Sequence, residues 1–252
     1  MFSLTGIKEA SVFPGYCSAH DASLFAAIEK QALRIDDPEQ AYCLFLRAFS
    51  YEYTKKRWAL SGMRILMDEA RTRGLSFDSD YVEFANTGRE QFLEIDAPFY
   101  FGEAFRKDRI PITEWLRWSW RVIPRCLGAS CTSCFSPLQE QYETYAIAYQ
   151  GEPQPLVTFS LIPQPVETHV VLCWHHQHTD LVQPLEKRLH SDDDLELEAF
   201  INECAFAESE DTCINPDLWE NISEQERLDA LNAMQPEFCR GKIEKVPRLI
   251  KL

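Results

Sequence analysis

No stretch of eighteen uninterrupted apolar residues occurs in the chain, so no membrane-spanning helix is expected. The start, Met1-Phe2-Ser3-Leu4-Thr5-Gly6, lacks a basic segment followed by an apolar run, which argues against a signal peptide. Gly-x-Gly-x-x-Gly, Gly-x-x-x-x-Gly-Lys-Ser/Thr, His-Glu-x-x-His and Gly-x-Ser-x-Gly are all missing. With them go the sequence signs of dinucleotide binding, a P-loop, a zincin and a serine hydrolase elbow. Positive charge is scarce: 25 Lys and Arg against 40 Asp and Glu leave a net charge of -15, which argues against general nucleic-acid binding. There is no internal repeat, and low complexity is confined to Asp192-Asp193-Asp194. These absences lead us to expect a soluble, cytoplasmic protein with no membrane partner.

What is present fits a globular fold. With 252 residues, 45% of them hydrophobic, the chain can fill a sizeable core without staples, and we read residues 1–252 as one domain. Nine cysteines, odd in number and unevenly spread, suit reduced thiols better than a disulfide framework. The charge is unevenly placed. Ser191 to Glu237 carries fifteen acidic residues against Arg227 alone, whereas the end from Phe238 has Arg240, Lys242, Lys245, Arg248 and Lys251 against Glu244. Composition does not decide whether that basic end lies over the acidic segment or forms a disordered tail.

Pro14-Gly15 is a turn signal, and helix signals follow it: Ser18 with Asp21 has capping-box spacing, or Asp21 is itself the cap, and Leu24, Phe25 and Ile28 recur at helical spacing. Asp36-Asp37-Pro38 ends that helix and starts a longer one, predicted from Pro38 to Arg73. Its apolar stripe is Tyr42, Phe45, Phe49, Tyr53, Leu60, Met63, Met67 and Ala70. Its other faces carry Arg47, Lys55, Lys56, Arg57, Arg64, Arg71 and Arg73, a basic series read as solvated or paired with acidic residues. A third helix is predicted from about Asp78 or Asp80 through Tyr81, Phe84, Gly88, Phe92 and Ile95, interrupted near Pro98 and resuming through Phe105. It should pack antiparallel to the second.

From Ile112 the period changes to two. Leu116, Trp118, Trp120 and Val122 alternate with Arg117, Ser119 and Arg121, which places Trp118 and Trp120 in the core and Trp115 on the other face. Further strands are predicted at Gly128 to Phe135, Thr144 to Tyr149, Leu156 to Ile162 and His169 to Trp174. Gly151-Glu152-Pro153 and Pro163-Gln164-Pro165 between them favour antiparallel connections. Helices return at Asp194 to Glu208 and Ser223 to Met234, the second with a Ser223/Glu226 capping box. The expected fold class is α+β: an N-terminal long helical hairpin on a mostly antiparallel sheet, with C-terminal acidic helices. The sub-regions run 1–110 (helical), 111–180 (β) and 181–252 (acidic helices and basic tail).

Three pairs have metal-ligand spacing. Cys17-x-x-His20 sets a thiolate and an imidazole in a first helical turn, where both can address one ion. Cys131-x-x-Cys134 and His175-x-x-His178 are alternative second pairs, which would give Cys₃His or CysHis₃ ligation of zinc. The competing reading of Cys131 and Cys134 is a strand of small buried side chains. If the chain stays extended after Val170-Val171-Leu172, His176 and His178 share a face; if it turns, His175 and His178 are closer, with Asp180 able to orient an imidazole.

The segment Ala10-Ser11-Val12-Phe13-Pro14-Gly15-Tyr16-Cys17-Ser18-Ala19-His20-Asp21, followed by Leu24-Phe25, resembles one in a group of uncharacterised bacterial proteins. There an Ala-Ser-x-Phe-Pro-Gly-Phe-Cys-x-x-His-Asp-x-x-Leu-Phe pattern often follows a cysteine-containing finger reminiscent of HNH-type modules. The resemblance covers about twenty residues well and the long helix loosely. It implies that Cys17 and His20 match half of a zinc site, and the present chain departs from it in lacking the upstream finger.

Two functions are therefore expected. The first is an accessory, non-catalytic interaction module with a structural zinc, meeting a protein partner through its acidic region or basic long helix, with nucleic acid a less favoured partner of that helix. The alternative is a metal-dependent hydrolase, related to nucleases, using His175, His176 or His178 with Cys17, His20 and Asp180.

Overall fold

The computed structural model describes residues 15–74, 86–106, 109–137, 151–209, 211–233 and 248–252. Its centre is a five-stranded antiparallel sheet of β1 (Leu116–Ile123), β2 (Ala129–Phe135), β3 (Val157–Pro163), β4 (Thr168–His175) and β5 (Cys213–Ile214), in the order β1-β4-β3-β2-β5. Trp118 pairs with Cys173 and Leu172 with Phe159. Every residue of β4 is buried, because helices cover both faces of the sheet. Val171 and Cys173 join the core under the N-terminal helices; Val170, Leu172 and Trp174 join the one under the C-terminal helices. The predicted strand at Thr144 to Tyr149 lies outside the described residues.

On the N-terminal side, α1 (Ser18–Leu24) and α2 (Ala26–Glu29) lead to α3 (Pro38–Thr72). Cys17 occupies the N-cap of α1 and no side chain caps it, so neither the Ser18/Asp21 box nor an Asp21 cap forms. The start of α3 follows from local chemistry. Asp37 caps it by accepting from the Glu39 and Gln40 amides at 3.0 and 3.1 Å, and Pro38 needs no partner at a first helical position. Thirty-five residues make a rod about 52 Å long, whose first part, from Gln40 to Ser50, is almost wholly buried.

The second arm comprises helical residues 86–91, a π turn (Phe92–Asp96) and α4 (Ala97–Ala104). Pro98 does not break it as expected. Pro98 has no N–H to donate to the Glu94 carbonyl, and the wide turn just ahead, closed by Ala97 N–H to Phe92 O, absorbs the irregularity. Contacts run antiparallel along α3: Arg64 meets Glu90, Lys56 covers Phe92, Phe49 packs on both Phe92 and Tyr100, and the Tyr42 hydroxyl donates to Ala104 O. The helical hairpin is thus as expected. Tyr100 links it to the sheet, its hydroxyl donating to Gln154 O at 2.7 Å and accepting from Leu156 N at 3.0 Å.

A short helix, α5 (Ile112–Trp115), precedes β1 and sets Trp115 into the same core as Trp120. This corrects the expected opposite-face placement of Trp115. Trp115 lies in the helical turn ahead of the strand, so strand alternation does not set its direction; Trp115 and Trp120 are buried, and Trp118 is half-buried against the same core.

The opposite layer holds α6 (Thr179–Leu189), α7 (Asp194–Phe206), α8 (Pro216–Asn221) and α9 (Glu224–Ala233). Phe200 packs edge-on against Phe159 of β3. The Ser223/Glu226 box forms reciprocally, Ser223 N–H donating to Glu226 at 2.8 Å and Glu226 N–H to Ser223 Oγ at 3.2 Å. Fully buried Asn202 donates to the Glu198 and Ile250 carbonyls and accepts from the Leu249 and Ile250 amides, which satisfies its whole amide. Arg248 pairs with Glu198 and Lys251 with Glu226, so the described part of the basic end lies over the acidic helices.

Candidate functional site

Where β4 ends, the chain enters a single 3-10 turn, His176–His178, before α6. His175 continues the strand alternation and faces the N-terminal layer. Its ring lies 5.0 Å from Phe99, 6.3 Å from both Tyr100 and Trp115, 4.7 Å from His176 and 5.9 Å from His178, centroid to centroid. The turn brings three imidazoles together. His175 Nδ1 accepts from Gln177 N–H at 3.4 Å, a contact that requires an unprotonated nitrogen. Burial pushes the His175 pKa down to about 4, reinforced by His176, His178 and Arg117. Burial, then His176, lowers His178 likewise to about 4. Both are neutral at pH 7 and too weakly basic to act as efficient proton acceptors there. Among the described residues His178 Nε2 and Trp115 Nε1, both buried, meet no hydrogen-bond partner. Asp180 stands exposed in the first turn of α6.

Cys17 and His20 do come together. Cys17 Sγ and His20 Nδ1 are 3.2 Å apart across the first turn of α1, both exposed. Tyr16 fixes the approach: its hydroxyl is 2.6 Å from Ser50 Oγ and its ring meets Phe25 edge-on, while Arg47 covers Phe25 at 4.4 Å.

Cys131 and Cys134 part company. They lie three residues apart in β2, so their side chains leave opposite faces of the sheet, Cys131 toward the C-terminal helices and Cys134 toward α3. Two thiols on opposite faces cannot hold one ion, and burial pushes both thiols up, which keeps them protonated. Among the described residues no group of three or more His, Cys, Asp or Glu stands together to hold a metal. Neither second pair completes Cys17 and His20 in such a group.

Sequence reading missed two polar links. Ser119 Oγ lies 2.7 Å from His190 Nε2, tying β1 to the end of α6. Trp120 Nε1 donates to His169 Nδ1 at 3.0 Å, and His169 Nε2 meets Glu167 at 3.0 Å. The Ser119 and His190 partners are 71 residues apart, so no local pattern announces them.

The cations of α3 are largely neutralised. Arg47 pairs with Glu29, Lys55 with Glu52 and Asp211, Lys56 with Glu52, Arg64 with Glu90, Arg71 with Asp68 and Arg73 with Glu69. Burial would raise the Glu52 carboxyl, but Lys56 and Lys55 outweigh it and leave it lowered. The unexpected feature is apolar. Trp58, Ile65 and Leu66 are 60%, 67% and 54% exposed. At 100° per residue Trp58 and Ile65 fall within about 20° of each other, roughly opposite Leu60, Met63, Met67 and Ala70 on the inner stripe. Gly62 lies between them, and a Cβ there would meet nothing within 4 Å.

No protein-family model, curated protein or solved structure matches the chain.

Proposed function

We propose that this protein is an accessory, non-catalytic interaction module whose protein partner docks along the distal half of α3. The supporting observation is the exposed apolar face of Trp58 and Ile65, on the side of the rod turned away from the helical hairpin. A helix with one stripe buried and a second apolar stripe in water has a surface ready for a partner helix. The histidine cluster favours the non-catalytic reading, since His175 and His178 are held neutral and weakly basic. Nucleic acid is the poorer partner, because the basic side chains of α3 are mostly spent on carboxylates of the same chain.

Photo-crosslinking in the cell tests this reading. A photoreactive residue replacing Leu66, exposed beside the apolar face, is expected to trap one protein adduct, lost when Ile65→Glu is added. A control placed at exposed Asp180 should trap none. Absence of any adduct at Leu66 would overturn the proposal.

A further inference from the structure

We infer that the partner on this face is a second copy of the chain, its α3 crossing antiparallel about a two-fold axis that passes between Ser61 and Gly62. The inference rests on reading the outer face of α3 as a docking surface, and adds the occupant. Three properties of the sequence Arg57-Trp58-Ala59-Leu60-Ser61-Gly62-Met63-Arg64-Ile65-Leu66-Met67-Asp68 carry it.

The apolar residues are self-complementary. An axis between Ser61 and Gly62 sets Trp58 opposite the second copy's Ile65, and Ile65 opposite the second copy's Trp58, as an isologous contact requires. The crossing point is small. Gly62 costs helix stability relative to Ala, yet open space surrounds its missing Cβ, so no close approach by a described residue accounts for it. Together with Ser61 it leaves a notch in which the indole of Trp58 can seat as the rods close.

The charges are complementary too. Arg57 and Asp68 lie on the same side of the stripe, so the two-fold axis brings Arg57 beside the second copy's Asp68 and the reverse. Among the described residues the Asp68 carboxylate is paired with Arg71 at 3.2 Å, with both side chains 76% exposed, a contact weak enough to exchange. This local pairing lets a chain of net charge -15 meet itself without placing its acidic region in the contact. Two crossing helices bury a modest area, so the dimer should be reversible.

Sedimentation velocity on purified full-length protein, from about 5 to about 500 µM, reads the result. Wild type is expected to pass from monomer to dimer in this range, and Ile65→Glu to weaken the dimer at least tenfold. Gly62→Gln fills the notch while improving helix propensity, so it should abolish the dimer while raising Tm by about 2 °C. This separates a blocked contact from misfolding. Arg57→Asp and Asp68→Arg should each self-associate poorly, whereas an equimolar mixture restores the dimer, because only the mixed pair has two complementary contacts. A wild type monomeric throughout, a Gly62→Gln protein that still dimerises, or a mixture that stays monomeric would overturn the inference. If the chain proves monomeric while the probe at Leu66 traps a different protein, the occupant is wrong and the docking face stands; no adduct at all removes the face itself.

Discussion

Replacing His175 by Phe should flatten part of the protein's pH dependence. The imidazole is 2% exposed and its pKa is held near 4, against an ordinary value of 6.5. At pH 7.5 it is neutral in folded and unfolded chains alike and contributes no proton linkage. As pH falls below 6.5 the unfolded chain binds a proton that the folded chain refuses, so stability drops with acidification until about pH 4. Integrated to pH 4.5, the loss is about 2.5 kcal/mol for this one group. In the Phe variant the contribution is absent, while the carboxylates and other histidines stay and cancel in the comparison. The larger ring and the lost acceptor for Gln177 N–H should cost about 1–2 kcal/mol at pH 7.5. Urea unfolding followed by far-UV circular dichroism at pH 7.5, 6.5, 5.5 and 4.5 gives both profiles. The wild type should lose about 2.5 kcal/mol more than the variant between the extremes. Parallel profiles would refute the claim that the aromatic surroundings of His175 reject its charge.

Asp96 has the opposite sign. Burial raises its carboxyl to about 6 although it accepts from Gln154 N–H at 2.8 Å. Its contribution is therefore present below pH 3.8 and lost as pH rises through about 6. Asp96→Asn should stabilise the fold by up to about 3 kcal/mol at pH 7.5 and change little at pH 3.5, measured by the same unfolding assay. A destabilised variant at pH 7.5 would contradict this. Among the described residues Cys17 and His20 supply two of the four ligands of a structural zinc site, too few to retain the metal through dialysis. Elemental analysis should find equal, substoichiometric zinc in wild type and Cys17→Ser; one zinc per chain, lost in the variant, would show that further ligands complete the half-site.

Features set by short-range chemistry were the legible ones. The long helix was predicted from Pro38 to Arg73 and runs Pro38–Thr72, because an Asp37 cap, a first-turn proline and an apolar stripe all act within a few residues. Four strands matched for the same reason. What escaped depended on backbone state or distant partners. Cys-x-x-Cys spacing suits a chelate on a turn but separates the thiols on a strand, and spacing alone does not say which backbone it rides on. The surroundings of His175 come from Phe99, Tyr100 and Trp115, which only the fold brings to the end of β4. β5 has two residues, too few for a period, and α6 carries Pro184 inside a mostly polar sequence. The outer face of α3 is masked in the sequence by its inner stripe, because one apolar stripe already accounts for an amphipathic helix and leaves Trp58 and Ile65 looking like isolated surface residues.

Asn202 has a consequence for the order of events on the ribosome. Its side chain is completed only when Leu249 and Ile250 arrive, after every helix and strand residue described above has been synthesised, while the N-terminal layer and all of β1 to β4 are complete once His175 has emerged. A nascent chain can thus cover one face of the sheet while the other, with Val170, Leu172 and Trp174, waits for later helices and their final clasp. During that interval the emerging protein carries a sticky half-finished sheet, and holding chaperones would find their substrate there.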